Sequence, residues 1–291
     1  MKKMLVTGGA GFFASRFTEF YKNKYDIIAL KRQDLDITDE AKTIDTISRI
    51  HPDFVLHTAA IADTGKCENN TELSYNINVK GTENVAKGCN KVGSKLLYLS
   101  SEQIYNGNIE AGPYSEETKP EPNTIYGKHK FESELKVQEI LEEAWILRLT
   151  WLFGLPEKCG KVNSNAVWNI VSSALKSEKI KVPCHEYRGM TYVYDLLKNM
   201  DKIINIPYGI YNTGSENDLS SYEIATLVLR EMGLELRIEE LLIKDEESFK
   251  NHPRDLRITN KKLRDIGVTF LTTEEGIKAC IKDFNYYFNL A

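Results

Sequence analysis

Tyr126 and Lys130 stand four residues apart in the stretch Tyr126-Gly-Lys-His-Lys130. On a helix this spacing puts both side chains on one face, about one turn apart. A phenol beside an ammonium can do acid–base chemistry, because the cation favours phenolate and draws the tyrosine pKa down from about 10 towards neutrality. Tyrosine and lysine are both common on helices, so the pair taken alone reads by default as a surface pair. A third candidate comes earlier, where the apolar run Lys95-Leu-Leu-Tyr-Leu-Ser-Ser101 reads as a strand ending in two hydroxyls. Open α/β sheets bind ligands at the carboxyl ends of their strands, so Ser101 is expected to touch a substrate.

A second constellation opens the chain. In Met4-Leu-Val-Thr-Gly-Gly-Ala-Gly-Phe-Phe-Ala14 a short apolar strand runs into a glycine-rich turn and then a helix. Gly9, Gly11 and Ala14 fit the G-x-G-x-x-G/A spacing in the strand–turn–helix setting that gives it meaning. Gly8 and Gly9 permit the tight turn, and Gly11 lets the backbone approach a pyrophosphate. The helix starting at Phe12 and Phe13 presents free N–H groups and a positive dipole end to the phosphates. The next strand, Tyr25 to Leu30, is followed at once by Lys31-Arg32. Basic residues there favour a ribose 2′-phosphate, although a solvated basic pair is the other reading. Asp36 and Ile37 are expected to flank an adenine. Ala59-Ala60, after the strand Asp53 to His57, leave room for a cofactor ribose or simply pack closely. The expected cofactor is NADP(H), with NAD(H) still open.

These residues need a scaffold that gathers strand ends. Strand and helix signals alternate as far as Pro156 and become irregular afterwards. The chain therefore reads as α/β, a Rossmann-type doubly wound parallel sheet with a smaller, mixed α/β C-terminal substrate lobe. The nucleotide domain is expected at 1–158 plus about 187–214, and the substrate lobe at about 159–186 and 215–291. Helices are expected at about 72–92, 124–143 and 163–177. Ser220-x-x-Glu223 and Thr272-x-x-Glu275 read as capping boxes for two more. Asn106 to Asn123 reads as a surface segment over the cleft, and Glu239 to Glu247 as a solvated charged face.

With 291 residues and 42% apolar content, the chain is long enough for one large α/β domain or two lobes sharing a core. A net charge of −4 gives no general attraction to nucleic acid or anionic membrane. The five cysteines are scattered with no C-x-x-C pair, which suits reduced thiols in a cytoplasm. The histidines lack metal-ligand spacing, so no metal is expected. The apolar run after Met1-Lys-Lys is too short for an export signal, and no stretch reaches the length of a membrane span.

The glycine turn, Ser100-Ser101 and Tyr126-x-x-x-Lys130 occur in the order found in the extended short-chain dehydrogenase/reductases, which the chain resembles. Asp34-Leu-Asp-Ile-Thr-Asp39, Asn78-Val-x-Gly-Thr82, Ser100-Ser-Glu-Gln-Ile-Tyr-Asn-Gly107, Ile146-Leu-Arg-x-x-Trp151 and Tyr192-Val-x-Asp-Leu196 narrow the resemblance to the dTDP-4-dehydrorhamnose reductase branch. The resemblance implies a catalytic triad of Ser101, Tyr126 and Lys130, with Glu102 and Trp151 on the nucleotide-sugar side. It implies reduction of a 4-keto-6-deoxy hexose by NADPH, with Tyr126 as proton donor and Lys130 on the nicotinamide ribose. Two departures stand out: Ser101-Glu102 replaces the usual Thr-Asp, and Ile61-Ala-Asp-Thr-Gly65 replaces the stretch expected after Ala60. The same superfamily also contains NAD-dependent epimerases and dehydratases. A non-catalytic cofactor-binding subunit like the regulatory subunit of methionine adenosyltransferase looks similar too. The resemblance also allows a homodimer.

Overall fold

The computed structural model describes residues 1–157 and 165–286. The apolar run near the start forms β1 (Lys3–Thr7), buried on both faces, and α1 (Phe12–Tyr21) returns over it. The pattern repeats with β2 (Asp26–Leu30), α2 (Glu40–Ile50) and β3 (Phe54–His57). Two short helices, α3 (Thr64–Asn69) and α4 (Thr71–Tyr75), lead into α5 (Gly81–Val92). Then come β4 (Lys95–Ser101), α6 (Ile125–Ile140) and β5 (Ala144–Leu149).

All neighbouring strands of the main sheet run parallel, in the order β2–β1–β3–β4–β5, with a sixth strand added beyond β5. The chain steps from β1 to β2 on one side, then jumps back to place β3 on the other side of β1. That reversal is the switch point where doubly wound sheets open a ligand crevice. The carboxyl ends of β1, β3 and β4 lie next to one another there, with Thr7 opposite His57 and His57 opposite Tyr98.

Beyond β5 the chain forms β6 (Trp151–Phe153), α7 (Ala166–Lys176), β7 (Ile180–Pro183), β8 (Glu186–Arg188) and β9 (Met190–Tyr192). The long α8 (Val193–Ile203) leads to β10 (Gly209–Thr213), the sixth strand of the main sheet. The rest is α9 (Ser221–Glu231), α10 (Ile238–Leu241), β11 (Leu242–Asp245), β12 (Arg254–Leu256), α11 (Lys261–Asp265) and α12 (Thr273–Asp283). Small parallel ladders join β6 to β9, β7 to β11 and β8 to β12. One hydrophobic core runs from Met4, Val6 and Phe17 through Trp145 and Leu147 to Leu196, Val228 and Ile277. A second core, with Leu5, Ile47, Val85 and Leu96, lies on the opposite sheet face. Among the described residues no helix is long and apolar enough to cross a membrane.

Both capping boxes form, at Ser220/Glu223 and Thr272/Glu275. Three expected segments differ in detail. The helix expected from Glu72 to Val92 contains a π-helical turn at Asn76–Lys80 before it ends on left-handed Gly93. The charged stretch 239–247 is not wholly solvated, because Leu241, Leu242 and Asp245 are buried where β11 meets β7. The segment 106–123 is pinned midway, since buried Tyr114 exchanges backbone hydrogen bonds with Arg257 and Thr259 at 2.8 and 2.9 Å. The helix start expected at Asn163 lies outside the described residues; from Asn165, whose side chain caps it, the helix runs to Lys176.

Candidate active site

The glycine turn is held by its own backbone. Gly11 N–H donates to Gly8 O at 2.8 Å, and Gly9 N–H donates to Leu30 O at 2.8 Å. Gly8 has φ +68°, and a Cβ there would meet the Ala59 backbone at 2.9 Å, so both conformation and space require glycine. Gly11 is the N-cap of α1 without a side-chain cap, and no acidic side chain occupies the first turn. The turn therefore offers backbone donors and a positive dipole end to a phosphate. The rings of Phe12 and Phe13 are buried, so any contact they make with a phosphate is through backbone N–H. These features fit a dinucleotide pyrophosphate.

Two strand spacings away, about 10 Å, β4 delivers Ser101 and α6 delivers Tyr126 and Lys130. All three side chains are buried. Thr124 caps α6 through Gly127 N, and Glu68 accepts from Ile125 N at 2.7 Å, so the helix start is closed twice. The Ser101 side chain is close enough to the Tyr126 phenol to lower its pKa, and its oxygen accepts from Gln103 N at 3.2 Å. Lys130 Nζ donates to Leu99 O at 2.7 Å and to Tyr98 Oη at 3.3 Å. Burial brings the Lys130 ammonium down to about 8, while Glu134 pulls it back up.

The expectation that a nearby cation lowers the Tyr126 pKa is not met. Burial raises it first, the Glu102 carboxylate adds to the rise, and the Ser101 side chain offsets part of it. The ammonium is anchored on the Leu99 carbonyl, and the phenol stays protonated.

Behind this trio lies a buried polar layer that the sequence reading missed. His57 sits between Thr7 Oγ1, 2.7 Å from Nδ1, and Thr82 Oγ1, 3.0 Å from Nε2. The Thr82 hydroxyl donates to Asn78 O at 2.6 Å, so it accepts from His57 Nε2–H, and Nδ1 accepts from Thr7. Burial pushes the His57 pKa down to about 3, which keeps the ring neutral. Asn78, in the π-helical turn, clamps the loop after β3 by bonding both the N–H and the C=O of Ile61, at 2.8 and 3.0 Å. One turn beyond Lys130, Glu134 accepts from Arg148 of β5 and from Ser100 of β4. Its i+4 step from Lys130 was the available signal, because α6 buries a polar face with Tyr126, Lys130 and Glu134 in line.

On the other side of Tyr126, Glu102 is buried and ion-paired with Arg188 of β8, whose guanidinium lies 4.3 Å over the half-buried Trp151 ring. Gln103 Oε1 accepts from Arg254 at 3.4 Å. The structure thus gathers Ser101, Glu102, Tyr126 and Trp151 with Arg188, for which the sequence carried no signal.

Of the other candidates, Ala59 and Ala60 follow β3 and are half-buried, with the Ala59 backbone against Gly8. Lys31 and Arg32 are exposed at the end of β2, with Lys31 N–H donating to Asp34 at 2.8 Å. Asp36 is exposed and accepts from Thr38. Ile37 is buried and packs its side chain onto Gly81 of α5.

The comparisons with known proteins agree with this architecture. The chain is 29% identical over 255 residues to the spore coat polysaccharide biosynthesis protein SpsK of Bacillus subtilis, covering 87% of each chain. It is 26% identical over 240 residues to a dTDP-4-dehydrorhamnose reductase of Aggregatibacter actinomycetemcomitans, covering 79% of each. A solved dTDP-4-dehydrorhamnose reductase of Bacillus anthracis, in complex with NADP, superposes with a TM-score of 0.86 at 25% identity, covering 97% of this chain and 99% of that one. The profile of the RmlD substrate binding domain matches residues 1–286, and the chain belongs to that family.

Proposed function

We propose that this protein is an oxidoreductase that reduces the 4-keto group of a nucleotide-linked 6-deoxy hexose, as its dTDP-4-dehydrorhamnose reductase relatives are named for doing. The observation that carries the reading is the burial of Ser101, Tyr126 and Lys130 together where β4 meets α6, set at the same sheet edge as a glycine cradle suited to a pyrophosphate. Gly8, Gly11 and the first N–H groups of α1 would hold the dinucleotide, with Lys31 and Arg32 reading a 2′-phosphate. When bound, that dinucleotide supplies the hydride. NADP is favoured over NAD by the basic pair and by the NADP complex of the Bacillus anthracis neighbour.

Tyr126 acts as general acid. Its raised pKa keeps the proton in place until a carbonyl oxygen gathers negative charge, and the proton then passes to that oxygen. The Ser101 side chain opposes the burial penalty on phenolate, and its hydroxyl would donate to the phenol oxygen and steady the anion left behind. Its own oxygen is fixed by Gln103 N–H. Lys130 spends two N–H groups on Leu99 O and Tyr98 Oη, which leaves a third for a ribose hydroxyl. Trp151 and Glu102 line the sugar side.

The test is NADPH oxidation in the presence of a panel of 4-keto-6-deoxy sugar nucleotides. Stoichiometric oxidation with one of them is expected. Turnover of a nucleotide sugar without net cofactor consumption would replace the reductase reading with an epimerase or dehydratase.

A further inference from the structure

Arg188 is 93% shielded from solvent, with 7% exposure, yet its Nε–H has no hydrogen-bond acceptor. Its guanidinium stacks on Trp151, and Nη2 pairs with Glu102. An arginine that served only to join β8 to the end of β4 would be expected to satisfy its whole fork. A buried donor without an acceptor carries its full desolvation cost, so the site is completed by something that brings an acceptor. Both contacts made by Glu102, from Arg188 and from Gln103 Nε2, fall on Oε1. Oε2 therefore stands as an acceptor on the same pair. The two charges cancel, so the pair exerts no net pull on a phosphate. A free donor beside a free acceptor, against an aromatic ring, instead matches hydroxyls, which accept and donate at once.

We propose that Arg188 is a sugar-reading residue: Nε–H donates to a hydroxyl of the hexose lying by Trp151, while Glu102 Oε2 accepts from that hydroxyl or its neighbour. This rests on the reading of the Tyr126 crevice as a nucleotide-sugar site. The charges of both Glu102 and Arg188 reach the Tyr126 phenol, which fits a hexose held there by its hydroxyls with its keto carbon at the acid.

The test is calorimetry on NADP-loaded protein with two probes, dTDP and dTDP-glucose. The wild type is expected to bind dTDP-glucose more tightly than dTDP. Arg188→Lys keeps the charge on Glu102 but lacks the planar fork, and Arg188→Met removes both. Either variant should lose about 10-fold or more of the sugar-dependent gain, with dTDP and NADPH affinities unchanged. Unchanged NADPH affinity also reports an intact fold, and if Arg188→Met fails to fold, Arg188→Lys decides. A sugar gain that survives in Arg188→Lys, or is absent from the wild type, overturns the proposal. A loss of dTDP affinity instead would assign Arg188 to the diphosphate and overturn it equally. Failure of the wild type to oxidise NADPH with keto-sugar nucleotides would remove the reductase reading while leaving the sugar-binding result to stand.

Discussion

Glu134 and Arg148 face each other as a two-pronged ion pair between α6 and β5, with Nη2 to Oε2 at 2.7 Å and Nε 3.1 Å from each carboxylate oxygen. Ser100 adds a third donor to the carboxylate at 2.5 Å, and Arg148 Nη1 donates to Tyr105 Oη at 2.6 Å. Both charged side chains are almost wholly buried. The pair bolts the helix carrying Tyr126 and Lys130 to the strands β4 and β5. Glu134→Gln leaves a buried guanidinium without its counter-ion and should cost about 3–5 kcal/mol of stability, read as a lower urea midpoint. Glu134→Gln combined with Arg148→Met removes the stranded charge, so the double variant should recover part of the loss. A double variant weaker than Glu134→Gln by the full cost of a second lesion would show that the two residues act independently.

Tyr126→Phe keeps the ring and removes the hydroxyl that carries the transferable proton. The rate should fall roughly 10²–10⁴-fold in kcat, with NADPH affinity nearly unchanged. Fluorescence titration of NADPH beside steady-state turnover separates the two effects. Full turnover in this variant would remove the phenol from the chemistry.

The pH dependence should belong to Lys130 and not to Tyr126. The lysine is held down at about 8 by burial, whereas burial moves the phenol upward. As pH rises past about 8 the ammonium is lost first, so kcat/KM for NADPH should decline there while the phenol is still protonated. Lys130→Arg should abolish that limb, since guanidinium does not titrate in this range. The effect on stability has the opposite sense. Between about 8 and the ordinary lysine value of 10.5, the unfolded chain binds the extra proton, so this group's contribution to stability rises with pH. The stability gap between Lys130→Met and wild type should therefore shift in favour of the wild type across that window, measured by denaturant titration at pH 7.5 and above.

Lys31→Ala with Arg32→Ala tests the cofactor. Both side chains are exposed at the end of β2, so their removal should leave the melting temperature within a degree or two, about the size of an ordinary surface change. NADPH should weaken more than NADH. Equal weakening would show that neither residue touches a 2′-phosphate.

What could be read from the sequence was what lies within one turn or one strand. The glycine turn, the Tyr126–Lys130 spacing, the hydroxyls ending β4 and both capping boxes depend on neighbours a few residues apart. The parallel, doubly wound character of the sheet also follows from regular strand–helix alternation. The missed residues are those whose partners are distant: Glu134 meets Arg148 across 14 positions only because β5 lies beside β4, and Glu102 meets Arg188 across 86. Arg188 sits on a three-residue strand with no periodic pattern, and its place is set by distant partners such as β12 and Asn217. The direction of the Tyr126 shift was misjudged for a related reason, because spacing reveals a nearby lysine but not how deeply the phenol is buried or where the ammonium is tethered.

Among the described residues, one apolar core joins Val6 and Phe17 to Leu196, Val228 and Ile277, so the two halves share their packing. A hinge would have to tear that packing open on every catalytic cycle. Substrate capture must accordingly be local, a matter of side chains and loops at the rim, and the walls of the crevice are set when the chain folds. By the same token, heating should melt the sheet and the C-terminal helices together, in one calorimetric peak rather than two.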